Sequence, residues 1–223
     1  MPHPLLFTDA LGAADALTFA GRAAALGDGI VRLRADGGVL VMSCAPLAPR
    51  GLLDATPTVL GLRVLAVDPE LACDLLVDGA ALGAVDGDPR ALSLPDTARS
   101  AAWAGVSPPR GGWAVAGTVA ASTLANRAQW GIAAVAEGVP VDAGEDAVRA
   151  VRASVWGRPD ESLQDMPLGV AFAAFALGFI GGEESAQVRT AGPWTRVSLA
   201  RGHVLARGPV RSGLTGVRAT GGS

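Results

Sequence analysis

The chain has 223 residues and a formal charge of -3, and half of its residues are hydrophobic while 17% are charged. A chain of this length can bury well over half of its unfolded surface, so its core needs no metal or disulfide. All 18 basic residues are arginine and there is no tyrosine, which excludes lysine-dependent phosphate loops, lysine Schiff bases and acid–base catalysis by tyrosine.

The N-terminal residues and the apolar segments indicate the compartment. Residues 1–7 contain no basic region and lead directly into Asp9, which is not typical of a secretory signal. The most apolar stretch, 168–180, is shorter than the ~20 residues that cross a bilayer. We expect a cytoplasmic protein without a membrane partner.

The two cysteines do not indicate a metal site. Cys44 and Cys73 lie far apart, and no histidine stands near either of them in the sequence, whereas zinc sites use closely spaced Cys and His. In a reducing cytosol both are expected to be small buried hydrophobic side chains. We predict no metal and no cofactor.

The first predicted element is a helix. Residues 8–26 are rich in alanine and are followed by Gly27, a combination that favours a helix with a glycine stop. Alternation at Leu17, Phe19 and Gly21 also fits a strand.

A hairpin follows this helix. The apolar alternations at 30–35 and 39–44 flank the turn 36–38, an aspartate followed by two glycines. Arg32 and Arg34 are expected to share its solvent face. Two more strand patterns lie at 58–67 and 74–77. Residues 1–100 are therefore predicted to be an acidic, β-rich half that carries one helix.

The segment between the two halves has little periodicity and is rich in Gly and Pro. We assign residues 101–121 to a connector, in which Trp103 and Trp113 bracket a Pro-Pro-Arg-Gly-Gly run that contains Arg110. The two tryptophans fill gaps between the halves, or Arg110 binds an anion on the glycine-opened backbone.

Residues 122–223 are predicted to contain three helices and then short strands. The first helix begins with Ser122 as its cap, and the second begins with a capping box of Asp142 and Glu145. The third, 168–180, is apolar around its circumference and is expected to be buried on all sides. The strand patterns lie at 187–190, 194–199 and 203–207, and the last two form a hairpin that is followed by a Gly-rich tail.

These elements predict an α+β fold, with an N-terminal antiparallel sheet and a C-terminal region of three helices and a hairpin. The order of three helices and a hairpin resembles a winged helix in topology. The helix in the recognition position, 168–180, has no Arg, Asn or Gln with which to read base edges. We therefore do not expect sequence-specific DNA recognition.

Charge asymmetry is the strongest functional signal. Residues 186–223 carry no acid, whereas residues 1–100 carry an excess of acids. The basic residues of this segment are Arg189, Arg196, Arg201, Arg207, Arg211 and Arg218. Acids of the first half such as Asp74 neutralise them, or they meet an acidic protein, an anionic ligand or a nucleic-acid backbone, with Trp194 available for stacking.

Catalytic patterns are sparse. His203 has no G-x-S-x-G serine to accompany it, and a histidine on a strand is more typical of a structural role. Asp86 and Asp88 form a turn sequence that is an incomplete ligand set for calcium.

The sequence therefore favours a non-enzymatic interaction protein whose contact surface is the Arg-rich hairpin. It leaves open whether the protein forms a homodimer. The alternative is a small metal-independent enzyme or an anion binder, with a pocket between the halves near Arg110. The candidate binding residues are Arg110, Trp103, Trp113, Trp194, Arg196, Arg201, His203 and Arg207.

Overall fold

An eight-stranded antiparallel sheet organises the molecule. The computed structural model describes residues 4–51 and 53–208. It combines this sheet with four α-helices in the described part of the chain, which confirms the predicted α+β class. No helix among these residues is long and apolar enough to cross a membrane.

The sheet strands and helices alternate irregularly along the chain. The helices are α1 (Ala10–Ala24), α2 (Ala121–Gly138), α3 (Glu145–Gly157) and α4 (Gly169–Ala176). The strands of the large sheet are β2 (Ile30–Asp36), β3 (Val39–Leu47), β4 (Thr58–Ala66), β5 (Cys73–Asp78), β8 (Ala114–Ala120), β11 (Ser185–Ala191), β12 (Trp194–Leu199) and β13 (Gly202–Arg207). The small sheets contain β1 (Leu5–Leu6), β6 (Gly83–Val85), β7 (Asp88–Ser93), β9 (Pro159–Asp160) and β10 (Met166–Pro167).

The large sheet consists of two similar halves. Its order is β5-β2-β3-β4-β13-β12-β11-β8, so each half is a three-stranded meander with a fourth strand at the outer edge. The halves join through antiparallel pairing of β4 with β13, where Leu60 lies opposite Leu205. The predicted strands of both halves are confirmed. The β12–β13 hairpin lies inside the sheet, with a strand paired on each side of it. Its edges are therefore not accessible, and it does not form the projecting wing of a winged helix.

The predicted hairpin and first helix are also confirmed. Asp36 of β2 pairs with Val39 of β3. Helix α1 begins after Asp9, whose Oδ1 accepts a hydrogen bond of 2.7 Å from the Gly12 amide. Gly27 then has a φ of 56°, and a Cβ atom there would lie 2.0 Å from a backbone oxygen of β3. Only glycine fits this position, which explains the stop signal.

The main core lies between the helices and one face of the sheet, which we call the inner face. Trp156 of α3 stacks on Phe172 of α4 with ring centroids 4.4 Å apart. On the sheet, Leu33 and Leu40 are completely buried. At 25 to 30 cal/mol per Å² of buried apolar area, contacts of this kind provide most of the folding free energy.

The third predicted helix is shorter and less enclosed than the sequence indicates. Helix α4 ends at Ala176 because Gly178 takes a φ of 71°. Phe172 and Phe179 are buried, but Phe175 is 40% exposed. The prediction of burial on all sides was therefore wrong at Phe175.

The two predicted helix caps were also wrong. Helix α2 begins at Ala121, with Ser122 inside the helix, and the Ala121 amide donates to the Glu184 carbonyl at 2.8 Å. Helix α3 begins after Gly144, and Asp142 makes no capping bond. A tertiary contact takes the place of the side-chain cap at α2.

The end of the first half and the connector contain strands that the sequence analysis missed. Strands β6 and β7 form a small sheet with β1, and β8 occupies residues assigned to the connector. Strand β8 pairs irregularly with β11, and Gly117 takes a φ of 144° at this bulge. Short strands with Gly and Pro do not alternate clearly enough to be recognised.

Candidate functional site

The outer face of the sheet, opposite the helices, carries the candidate residues. In the β12–β13 register Arg196 lies opposite Leu205, and His203 lies opposite Ser198. His203 in turn lies opposite Leu62 of β4. Because directly paired residues project from the same face, these side chains share one surface.

The connector crosses this outer face and covers part of it. Trp103 is buried in a second, smaller core with Ile30, Leu60, Trp194 and Leu205, against which Trp113 packs. This arrangement matches the expectation that the connector tryptophans fill gaps. Trp194 is only 4% exposed, so it is not available for stacking on a ligand.

Hydrogen bonds hold the connector in place. Trp103 donates from Nε1 to Asp28 Oδ2 at 2.9 Å, and Arg32 donates from Nη1 to the Ala104 carbonyl at 2.7 Å. The same Arg32 guanidinium makes two 2.7 Å hydrogen bonds to Asp74. This pairing raises the pKa of Arg32 and lowers the pKa of Asp74. Arg32 therefore holds the connector against the sheet, although the sequence analysis expected it on a solvent face.

A cleft of about 460 Å³ remains between the connector and the outer face. We call it the outer cleft. Its lining includes the basic or aromatic residues Arg34, Arg110, Trp103, Trp113, Arg196 and His203. Its apolar wall includes Val41, Leu62, Val64 and Leu205, and its single carboxylate among the described residues is Asp36. Basic groups thus stand beside an apolar surface.

Arg196 is the most unusual group in the outer cleft. Its guanidinium carbon lies 4.5 Å from the centre of the Trp113 ring, and its Nε is buried without a hydrogen-bond partner in the described part of the chain. Burial and the nearby Arg189 lower the pKa of Arg196. A buried guanidinium nitrogen without an acceptor is energetically unfavourable. The half-buried guanidinium as a whole also has no ionic partner among the described residues, so an anion in the cleft would pair with its charge.

His203 lies beside Arg196 and has an altered ionisation. Burial, and then the charges of Arg196 and Arg63, lower the pKa of His203, so the imidazole is neutral at pH 7. Its Nδ1 lies 3.0 Å from Ser198 Oγ. No carboxylate within the described ranges bonds to the imidazole, so the third group of a hydrolytic triad is missing there.

The remaining predicted residues surround the outer cleft without lining it. Arg201 is exposed at the turn between β12 and β13, and its carbonyl accepts a hydrogen bond from Arg63. Arg207 is half-buried at the end of β13, opposite Trp194. The structure therefore brings Arg110, Trp103, Trp113, Arg196 and His203 together, and leaves the other three around them.

Among the described residues, the acids of the first half form no direct ion pair with the hairpin arginines. Within residues 4–51 and 53–208, no carboxylate lies within 4.0 Å of the charged nitrogens of Arg189, Arg196, Arg201 or Arg207. The acids of the first half that do form ion pairs use arginines of the same half, as Asp15 does with Arg63. The predicted arginines 211 and 218 lie outside the described residues.

The sequence analysis missed the apolar wall and Arg34. The signal that could have located them is the alternation of the β2–β3 hairpin, because Arg34 pairs with Val41 on the same face. What could not be read from the sequence is that the connector folds back over these residues.

The structure provides no metal centre in the described part of the chain. Asp88 accepts a hydrogen bond from the Arg90 amide at 2.9 Å, and Gly87 has a φ of 84°, so this segment forms the β6–β7 turn. Cys44 is buried and Cys73 is half-buried, and burial raises the pKa of both thiols.

Two family models together span most of the chain. Residues 1–105 match "Domain of unknown function (DUF8010)" and residues 108–211 match "Domain of unknown function (DUF8185)". The two matches meet within the connector, so the outer cleft is built from both. No curated protein matches the chain.

Solved structures of bacterial sliding clamps resemble the fold. The DnaN sliding clamp (DNA polymerase III subunit beta) from Bartonella birtlesii has a TM-score of 0.50 and 11% identity, over 94% of this chain and 65% of that chain. The DNA polymerase sliding clamp from Caulobacter crescentus has a TM-score of 0.45 and 11% identity, over 95% of this chain and 68% of that chain. The chain thus spans about 65% of the length of the first clamp, and the likeness concerns the fold alone.

Proposed function

We propose that the protein is a non-enzymatic binding protein that holds an acidic protein partner at the outer cleft. The observation that carries this proposal is the half-buried guanidinium of Arg196, which lines the cleft, stacks on Trp113 and has no hydrogen-bond acceptor or ionic partner among the described residues. A carboxylate of a partner would bind the part of this guanidinium that faces the cleft. Of the hairpin arginines predicted from the sequence, Arg196 is then the one that acts at the cleft, on the outer face of the sheet.

The electrostatics of the outer cleft support an anionic partner. Arg34, Arg110 and Arg196 line it, and Asp36 is its one described carboxylate. The lowered pKa of His203 is caused in part by positive charges around it. An arginine fork binds carboxylates in a fixed geometry, so this group of cations favours acidic side chains.

The apolar wall argues for a protein partner over a nucleic acid. Leu62, Val64 and Leu205 would face a phosphate backbone without neutralising it. Nucleic-acid binding depends on neutralising many phosphates, and the whole chain has a formal charge of -3. Acidic protein segments, in contrast, offer carboxylates and apolar side chains together.

The volume of the outer cleft supports a second candidate, a binder of small organic anions. A volume of about 460 Å³ falls in the range of small-molecule sites, which is about 300–1,000 Å³. Poly-L-glutamate and citrate distinguish the two candidates, because only a protein-type site should prefer the polymer at equal carboxylate concentration.

The test is a fluorescence-anisotropy titration of labelled poly-L-glutamate at two salt concentrations. The double variant Arg110→Gln with Arg196→Gln should weaken binding by about 100-fold or more, since each of the two exchanges removes a charge-assisted hydrogen bond worth about 1.5–3 kcal/mol. The matched control is Arg90→Gln, an exposed arginine of the small sheet outside the cleft.

The double variant Arg201→Gln with Arg207→Gln tests the hairpin surface outside the cleft. We expect a smaller loss there, of about 30-fold at most, because two charges outside the cleft contribute at most ~1 kcal/mol each. Equal losses in all variants, including Arg90→Gln, would mean non-specific charge attraction and would contradict the proposal. Melting curves of each variant establish that it is folded.

A further inference from the structure

The outer cleft has cations at both ends and apolar side chains between them. Arg34 lies on β2 and Arg196 lies on β12, and both line the cleft. Strands β3, β4 and β13 stand between these two strands in the sheet. Adjacent strands are about 4.8 Å apart, so four spacings separate the two arginines by about 19 Å across the sheet. Arg34 lies in the row of Val64 and Arg196 lies in the row of Leu60, which is four residues or about 13 Å farther along the strand. The two arginine positions are therefore about 23 Å apart.

The side chains between the two arginines are apolar along most of this path. Val41 of β3 lies opposite Arg34 and also opposite Val64 of β4. Leu62 of β4 then lies opposite His203 of β13, next to β12. The path therefore begins and ends at a positive charge and is apolar in its middle.

The end of the cleft near Arg34 is open. Val39 and Val64 are each 45% exposed there, and large apolar side chains that remain exposed side by side mark interaction sites. At the other end, Trp113 and the connector enclose Arg196. An open groove fits a segment of a longer polypeptide, because the rest of that polypeptide can continue beyond Val39 and Val64.

We infer, on the basis of the proposed function, that the occupant is an extended peptide segment of the partner with an acidic residue at each end and apolar residues between. An extended chain rises about 3.3 Å per residue and its side chains alternate between two faces, so the first and seventh residues of a segment share a face at a distance of about 20 Å. The acidic and arginine side chains reach over the rest of the span of about 23 Å. One terminal carboxylate meets Arg196 and Arg110, the other meets Arg34, and the apolar residues cover Val41, Leu62 and Val64.

Two heptapeptides of identical composition test this inference, because the first and seventh side chains of an extended segment share a face. The end-acid peptide is acetyl-Glu-Leu-Val-Leu-Val-Leu-Glu-amide, and the centre-acid peptide is acetyl-Leu-Val-Glu-Leu-Glu-Val-Leu-amide. Their net charges are equal, so only the spacing of the carboxylates differs. We expect the end-acid peptide to bind at least about tenfold more tightly in a calorimetric titration, since one bidentate arginine contact is worth more than 1.4 kcal/mol.

Two variants assign the ends and the middle of the site. Arg34→Gln should remove most of the preference for the end-acid peptide, and Arg90→Gln should leave the preference unchanged. Val64→Asp should weaken both peptides, and the fold should tolerate it because Val64 is 45% exposed. Arg34→Gln leaves the buried contacts of the connector intact, so this variant is expected to fold. It therefore still tests the inference if Val64→Asp does not fold.

The outcomes separate this inference from the proposed function. Equal affinity for the two peptides overturns the inference, while the proposed function stands if Arg110→Gln with Arg196→Gln still weakens binding of poly-L-glutamate. A preference for the end-acid peptide that survives Arg34→Gln also overturns it. If neither peptide nor poly-L-glutamate binds, both the inference and the proposed function fail.

Discussion

The two faces of the large sheet are built from the same strands and have different properties. On β2 and β3 the inner-face residues Leu33 and Leu40 are completely buried under the helices. Between them in sequence, Arg34 and Val39 point to the outer face, where Val39 remains 45% exposed. Alternation thus gives one sheet a face for stability and a face for binding.

The difference lies in what covers each face. The four described helices and the small sheet of β1, β6 and β7 close the inner face, whereas a connector held by a few hydrogen bonds covers part of the outer face. The helix side is therefore expected to tolerate little change. The connector side is expected to lose less stability and more binding on substitution.

The largest expected effect is on the inner face. Trp156→Ala removes a side chain that is 3% exposed and stacks on Phe172. The free energy of unfolding should fall by about 3–5 kcal/mol, as for other buried tryptophans replaced by alanine. Urea unfolding measures this fall in the free energy of unfolding. A fall smaller than that caused by Trp113→Ala would contradict the comparison of the two faces.

Loosening of the connector should have an intermediate effect. Arg32→Gln removes the contacts to Asp74 and to the Ala104 carbonyl. Part of this contact is exposed to solvent, so we expect a loss of about 1–2 kcal/mol in the free energy of unfolding. Amide hydrogen exchange in the connector should rise more than exchange in α1 or α4, and uniform exchange changes would show that the connector is not a separate unit.

Trp113→Ala should cost less stability. The half-buried indole stacks on Arg196 and donates to the Pro109 carbonyl at 3.1 Å. Loss of this stacking is worth about 0.5–2 kcal/mol, and poly-L-glutamate binding should weaken because Arg196 is no longer oriented. Trp113→Phe is the control that retains a ring, and it should keep most of the binding.

The smallest effect concerns pH. The pKa of His203 lies below its ordinary value of about 6.5, so the unfolded chain takes up this proton first as pH falls. Its contribution to stability is therefore complete above about pH 6.5 and is lost as pH falls from there through the lower pKa of the folded protein. Urea unfolding at about pH 7.5 and about pH 5 should show a smaller difference for His203→Gln than for the original chain. An unchanged difference would mean that other groups cause it.

Local patterns predicted most of the fold. The hairpin at β2 and β3, the glycine stop after α1 and the three C-terminal strands all follow from side-chain period and turn chemistry. The failures depend on tertiary contacts: the Ala121 amide binds the Glu184 carbonyl in place of a capping side chain, and β8 becomes a strand only because β11 pairs with it.

The sequence identified several residues of the candidate site, but it did not show that they lie together in the fold. The sequence singles out Arg110, Trp103 and Trp113 by their Pro and Gly context, Arg196 by the charge asymmetry, and His203 as a candidate catalytic histidine. That these residues meet depends on the pairing of β4 with β13, a contact between residues far apart in sequence. Such a pairing leaves no local pattern in either strand.

The central claim is that the outer face of the sheet binds the partner while the inner face stabilises the fold. Its most direct test is an NMR titration with the end-acid peptide. We predict that backbone amide shifts change at Arg34, Val64 and Arg196, and that the bound carboxylate raises the pKa of His203. Amides of α1 and α4 should not respond. Shifts concentrated in the helices, with the His203 titration unchanged, would contradict the account.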